Sequence, residues 1–301
     1  MAEAGEGVRR LLDSYAWAGT TSRLALLGFD VEIRATDAGL AQLLTDLYAP
    51  LRVPGTAEHV LSISSTAPPP AAGSTRWEVH LDGTRLIRTE AASIAFRHLL
   101  FEANRHAIDD TPDLVLVHAS AAVVDGRAIV MPGPMGAGKS TLVAALVRAG
   151  LGYLTDEIVA LDPATGVVVP YPKYLSLGPA LAHMVPEVRA GLRTVVGDQR
   201  LVSPEALRLG AVAPPAPPRV VVFPRYERGA TTAVSRLRPA AALAALAQHA
   251  FHLDRDGPRV MATLAAMVER SSCFEMVSGD VDEARDALLA LVDGAREPAR
   301  S

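Results

Sequence analysis

The sequence predicts an α/β protein in two parts, a mixed α/β segment over residues 1–110 and a phosphate-loop domain over residues 111–301. Three observations carry this. Strand-like apolar runs alternate with segments of helical periodicity along most of the chain. A glycine-rich loop stands between a strand-like run and an amphipathic helix. At 301 residues the chain exceeds one typical domain, and about 150 residues per domain gives two.

In the first part, Leu24–Ile33 reads as strand, and Leu40, Leu43, Leu44 and Leu47 have helical spacing. Val60–Ser64 reads as a short strand. The stretch APPPAAGST, 67–75, is a Pro/Gly/Ser-rich loop. Trp77–Leu81, Asp82-Gly83 and Arg85–Arg88 form a predicted β-hairpin. Ile94, Leu99, Leu100 and Ala103 mark a helix over 90–107, broken between Asp109 and Pro112.

The second part opens with LVLVHASAAVV, a tight turn at Asp125-Gly126, and RAIVM, which read as two paired strands. The glycine-rich loop follows, then a helix from Lys139 to about Ala149 that Gly150 ends. Leu151–Leu154, Ile158–Leu161 and Val167–Val169 read as short strands. Residues 179–210 read as helical and irregular, and APPAPP, 213–218, as an extended connector. RVVVF, 219–223, is a buried strand. The tail, 239–294, reads as two or three helices, with its Ala-rich start as core packing.

Composition excludes several functions. Lys+Arg 29 against Asp+Glu 33 gives a net charge of −4, with no basic excess to neutralise nucleic acid or an anionic membrane. MAEAGEGVRR does not read as a signal peptide, and no run of about 18 apolar residues predicts a membrane span. The single Cys273 excludes an internal disulfide framework, and the eight histidines lack zinc-type spacing. A cytoplasmic enzyme fits this set. Of the 29 basic residues only Lys139 and Lys173 are lysine, so each marks a position where a compact ammonium serves better than a guanidinium.

The loop GPMGAGKS, Gly133 to Ser140, fits G-x-x-x-x-G-K-[ST] at every fixed position. Gly133, Gly136, Ala137 and Gly138 would wrap the phosphates with backbone N–H groups, and Thr141 continues the loop into the helix. Pro134 has no N–H to give. Lys139 would reach the β- and γ-phosphates, the Ser140 hydroxyl would bind magnesium, and the helix would point its positive end at the anion. Asp156-Glu157 follows a short strand seventeen residues after Lys139. That distance suits a helix, a turn and a strand returning beside the loop. On an extended chain the two acids point apart, so one can act as base while the other contacts metal. RVVVF ends in Pro224 and Arg225 rather than in an acid, unlike the metal-binding strand of common NTPases.

The stretch VHASAAVVDGRAIVMPGPMGAGKSTLVAALVRAGLGYLTDEIVAL resembles the catalytic core of HPr kinase/phosphorylase and its relatives. The likeness covers roughly residues 114–180: a histidine before the loop, the loop itself, L-x-x-x-G closing its helix, and an acidic pair beyond. FPRYERG and SGDVDEARDALLAL are similar to features of the divergent HPr-kinase-like proteins. The resemblance implies a P-loop kinase domain akin to the phosphoenolpyruvate carboxykinase core, using ATP and Mg2+. It places Asp156 at the base that deprotonates an acceptor serine, and Glu157 at a second acid that helps hold Mg2+. His118 falls beside the γ-phosphate. Lys173, in VVPYPKYLSL, falls at a proline-flanked basic residue able to contact transferred phosphate or acceptor. Arg225 is a candidate for neutralising transition-state charge, or for a structural ion pair.

One departure matters. The segment of the form A-E-x-R-G, associated with the phosphorylase half-reaction and with positioning HPr, is not found. Divergent members of the family include kinases encoded with ribosomal and lasso peptides, which phosphorylate a serine of the precursor, and kinases of free serine. The expected activity is therefore transfer of the γ-phosphate of ATP to a serine of a peptide or small protein. A free small-molecule hydroxyl is the second reading, and a nucleotide-binding regulatory module without phosphotransfer the third. Residues 1–110 could offer an open sheet edge to an extended peptide. The resemblance leaves a homo-oligomer open.

Overall fold

The computed structural model describes residues 15–66, 75–178, 195–196 and 199–294. The loop predicted over 67–75 and most of the irregular stretch over 179–210 lie outside them. The chain is mixed α/β, and it divides into two compact units between Thr111 and Pro112. Val195–Val196 and Gln199–Val202, which the sequence reading left in the second part, group with the first unit.

The first unit is built on a five-stranded sheet in the order β1 (Gly19–Leu26), β2 (Phe29–Ala35), β3 (His59–Thr66), β4 (Arg76–Leu81), β5 (Thr84–Thr89). Only β2 and β3 run parallel, joined through α1 (Ala38–Leu47). Asp37 caps α1 by accepting from Leu40 N at 2.8 Å, and Ala41, Leu43, Leu44 and Leu47 form its buried stripe. The single strand predicted over Leu24–Ile33 is instead a hairpin. Leu27 takes a left-handed φ of 57°, and Gly28 N donates to Thr111 Oγ1 just past α2 (Ala92–Asp109). The predicted β4–β5 hairpin and the helix after it are present.

The second unit carries an eight-stranded sheet. Its order is β10 (Val168–Val169), β9 (Ile158–Leu161), β6 (Val115–Val124), β7 (Arg127–Pro132), β14 (Pro218–Tyr226), β16 (Ser272–Ser278), β15 (Ala233–Arg236), with β8 (Gly152–Thr155) also on β6. Of the remaining strands, β11 (Leu175–Leu177) belongs to this unit, and β12 (Val195–Val196) and β13 (Gln199–Val202) to the first. Asp125 and Gly126, both at positive φ, turn β6 into β7. The strands β7, β14 and β16 are parallel, so their C-terminal ends share one edge of the sheet. In open α/β sheets that edge is where ligands bind.

Helix α3 (Lys139–Arg148) covers one face of this sheet. The short α4 (Pro204–Leu207) packs on α3, as does α7 (Val281–Gly294), which also meets β16. On the other face, α5 (Pro239–Ala247) and α6 (Gly257–Glu269) bury Ala242, Leu246, Val260 and Leu264 against Val115, Val117, Ala119 and Ala121. These odd-numbered residues of β6 face α5 and α6, so the even-numbered ones, His118 and Ser120 among them, face α3. The tail predicted as helices alone contains β16, whose buried residues Cys273, Met276 and Ser278 are interleaved with half-buried and exposed ones.

Candidate active site

Strand β7 ends at Pro132 and runs directly into Gly133 to Ser140, which then starts α3. Gly136 and Gly138 hold φ of 84° and 91°, a region in which a side chain would be strained. Gly138 is the N-cap residue of α3, and no side chain caps the helix. The loop also lies against β14: a Cβ on Gly133 would sit 3.8 Å from Pro224 O, and one on Gly138 would sit 3.5 Å from Tyr226 Cβ. Lys139 is buried and donates to Gly133 O at 2.6 Å and Pro134 O at 2.9 Å. Burial lowers its pKa, against the pull of Asp156 and Glu157.

The acidic pair sits in a break between two strands that share one edge of β6. Gly152–Thr155 pairs with the second half of β6, and Ile158–Leu161 with the first half. Between them, Glu157 O accepts from Ala119 N, and Ser120 Oγ donates to Asp156 Oδ1 at 2.9 Å. Asp156 is 7 % exposed, and burial pushes its carboxyl up to about 6. Hydrogen bonds from Ser120 and Ser140 and the charge of Lys173 restrain that rise, while Glu157 adds to it. Asp156 therefore meets the hydroxyl that opens the loop's helix, although sixteen residues separate the two.

Glu157 is engaged differently. It forms an ion pair with Lys173, whose charge lowers the Glu157 pKa against the effect of burial. Lys173 is buried with its ammonium 5.0 Å from the Tyr174 ring centre. Burial opposes its charge, but Glu157 and Tyr171 hold its pKa above the ordinary lysine value. Tyr153, fully buried, donates its hydroxyl to Lys173 O at 2.9 Å and fixes the backbone that carries this lysine. Burial drives the pKa of this phenol well up, so it remains a donor.

His118 stands on the α3 face of β6. Burial lowers its pKa first, and Lys139 lowers it further. The structure thus brings Lys139, Ser140, Asp156, Glu157, Lys173 and His118 into one region. Arg225 lies near the end of β14, between Pro224 and Tyr226, which approach the loop, and its exposed side chain is paired with Glu227 at 3.3 Å.

Sequence reasoning missed Ser120 and the three tyrosines around Lys173. Ser120 was within reach, because it lies two residues after His118 and therefore on the same strand face. The tyrosines flank predicted residues but fall in no motif.

The loop suits a nucleotide. Its glycines leave the backbone open to phosphates, and its lysine is bonded only by carbonyls that an incoming phosphate can replace. The oxygens of Ser140 and Glu157 suit Mg2+, a hard cation that takes few protein ligands beside substrate phosphates. Among the described residues, no group of three or more His, Cys, Asp or Glu could hold a metal by itself. No helix among them is long and apolar enough to cross a membrane.

No family model matches the chain, and no curated protein matches its sequence. Among solved structures, the HPr(Ser) kinase/phosphatase from Coxiella burnetii is similar over 60% of this chain and 95% of that chain, with 11% identity and a TM-score of 0.34. So distant a likeness carries no argument about chemistry.

Proposed function

We propose that this chain is an HPr-kinase-like, ATP- and Mg2+-dependent kinase that transfers the γ-phosphate to a serine hydroxyl of a peptide or small protein. The observation that carries the reading is Asp156: a buried carboxylate fixed by Ser120 Oγ at 2.9 Å, its pKa raised to about 6 by burial and restrained by the hydroxyl of Ser140 in the phosphate-binding loop. A carboxylate tuned in this way is ionised at neutral pH, yet it is a stronger base than a solvated aspartate.

The serine oxygen forms a bond to the γ-phosphorus, the bond from that phosphorus to the bridging oxygen breaks, and ADP leaves. Asp156 accepts the proton of the serine hydroxyl. Lys139 binds the β- and γ-phosphates, and the loop N–H groups cradle them. Lys173, held by Glu157 and Tyr153, presents positive charge to the group in transit. Ser140 and Glu157 would hold Mg2+, which supplies neutralisation of phosphate charge.

A peptide acceptor draws support from the first unit, whose five-stranded sheet ends on one side in β5 and there offers an edge that an extended chain can pair with, the β1 edge being met by Arg52 and Val53. The expected setting is cytoplasmic, without nucleic acid or membrane as partner. A homo-oligomer remains part of the proposal.

The test is incubation with γ-labelled ATP, Mg2+ and a size-fractionated lysate of the source cell. Label arriving on a peptide or protein serine supports the reading. Label on a small molecule replaces the acceptor but keeps the chemistry. ATP bound but never consumed, with every fraction supplied, would make the chain a nucleotide-controlled module and remove Asp156 as base.

A further inference from the structure

We propose that His249 is a second histidine of the nucleotide site and, together with His118, binds the terminal phosphoryl group. The proposal rests on the reading of the chain as a phosphotransferase and assigns a residue outside every motif described above.

The placement follows from how β6 is paired. Beyond Ala119, its β7-side edge is taken by β7. At Pro132, β7 leaves that edge to become the phosphate loop. The edge so vacated, along Leu116–His118, is filled by the segment after α5. His118 N donates to His249 O at 2.7 Å, Phe251 N donates to Leu116 O at 2.9 Å, and Val117 bridges Ala250. His249 therefore continues the line along which the phosphate loop departs.

The side chain's direction follows from the same register. In an antiparallel pair, opposed residues project to one face. Val117 and Ala250 face the α5–α6 core, where Ala250 packs against it. His249, opposed to His118, consequently faces α3 with Ser120. The α3 face then holds Asp156 beyond one edge of β6, His118 and Ser120 on it, and His249 beyond the other edge. Lys139 acts on both imidazoles: burial lowers each pKa first, and the lysine charge adds to the effect. Both rings are thus neutral at physiological pH, and each keeps one N–H to donate.

A phosphoryl group in transit has to lie between Lys139, which holds the donor, and Asp156, which receives the acceptor's proton. The two imidazoles, both within the field of Lys139, are placed at the border of that region. An ADP β-phosphate stays in the loop, one phosphate short of it. Two neutral donors give the terminal group hydrogen bonds without adding a cation beside Lys139 and Lys173. The bond from His118 N uses the backbone carbonyl of His249, so replacing the side chain leaves the strand pairing intact.

The experiment is calorimetric titration of the full chain with Mg2+ and either a non-hydrolysable ATP analogue or ADP. In H249A, affinity for the triphosphate is expected to fall about tenfold, as for one lost charge-assisted hydrogen bond. Affinity for ADP stays within about twofold. H249N or H249Q, which keep an N–H donor, recover part of the difference, and H249F, which fills the space without a donor, replaces H249A should the smaller residue fail to fold. Equal weakening for both nucleotides, or no change in either, overturns the proposal while leaving the kinase reading in place. A wild-type chain that binds neither nucleotide overturns both.

Discussion

Ser120 Oγ, in the middle of β6, donates to Asp156 Oδ1 at 2.9 Å, so the buried acid is fixed by a strand laid down thirty-six residues earlier. The hydroxyl opposes burial: desolvation raises the Asp156 pKa, and this bond, with that from Ser140, brings it back to about 6. A small residue on β6 thereby sets the proton affinity of the proposed base.

S120A removes a donor to the ionised carboxylate, so the Asp156 pKa rises above about 6. The acidic limb of the kcat profile is expected to move to higher pH. At pH 7 kcat falls about two- to fivefold, and at pH 8.5 much of it returns. ATP affinity is unchanged. A profile that scales down uniformly across pH would show that the bond only supports the fold.

The ion pair between Glu157 and Lys173 yields a second prediction. Lys173 has 8 % of its side chain exposed, whereas Glu157 has 39 %. E157Q strands a buried ammonium and is expected to cost about 2 kcal/mol at pH 7, less than a fully buried pair because Glu157 is partly solvated. E157Q/K173M removes both charges and recovers much of this loss. Urea unfolding of the wild type, both single variants and the double variant measures the coupling. A double variant no more stable than E157Q would show that the lysine is not stranded.

In the first unit, a Cβ on Gly28 would stand 2.1 Å from Asp110 O and 2.9 Å from Thr111 Oγ1. The contact is with backbone, which cannot swing away. G28A is expected to cost about 3 kcal/mol or more. T111V, which removes the acceptor of the 2.8 Å bond from Gly28 N and the donor of the 2.7 Å bond to Ala107 O, should cost about 1–2 kcal/mol. Thermal unfolding of both variants checks the order, and a G28A protein as stable as T111V contradicts it.

What was legible in the sequence was chemistry written locally. The phosphate loop is a backbone requirement that residues 133–140 meet by themselves, and Asp125-Gly126 spells the turn before it. The hairpin at Leu27-Gly28 reads as one strand because Leu27 is no turn residue; the turn it makes at left-handed φ is tied down through Gly28 N, which Thr111 holds from more than eighty residues away. Strand β16 reads as part of a helical tail, since SCFEMVS lacks the β-branched run of a central strand and owes its state to pairing with β14 on one side and β15 on the other. His249 was invisible for a related reason. Its position depends on the edge of β6 that β7 vacates, a relationship between segments rather than within one.

The last prediction concerns the energetic cost of Asp156. Its pKa is ordinary in the unfolded chain and about 6 in the folded one. Between about pH 4 and 6 the folded state therefore binds more protons than the unfolded state, so stability falls as pH rises through this window. Above it the penalty is fully present, at most about 3 kcal/mol. D156N removes the charge but keeps the shape. It is expected to unfold at a higher temperature than the wild type at pH 7.5, by about 1–3 kcal/mol of added stability, with the advantage vanishing near pH 4. The same variant should lose phosphotransfer by about 10²- to 10⁴-fold while still binding ATP. Differential scanning calorimetry at the two pH values, paired with the labelled-ATP assay, measures both effects. An Asn variant that is less stable at pH 7.5 and equally active would mean that Asp156 is a structural acid. A variant both more stable and inactive is what a buried base, strained for its task, requires.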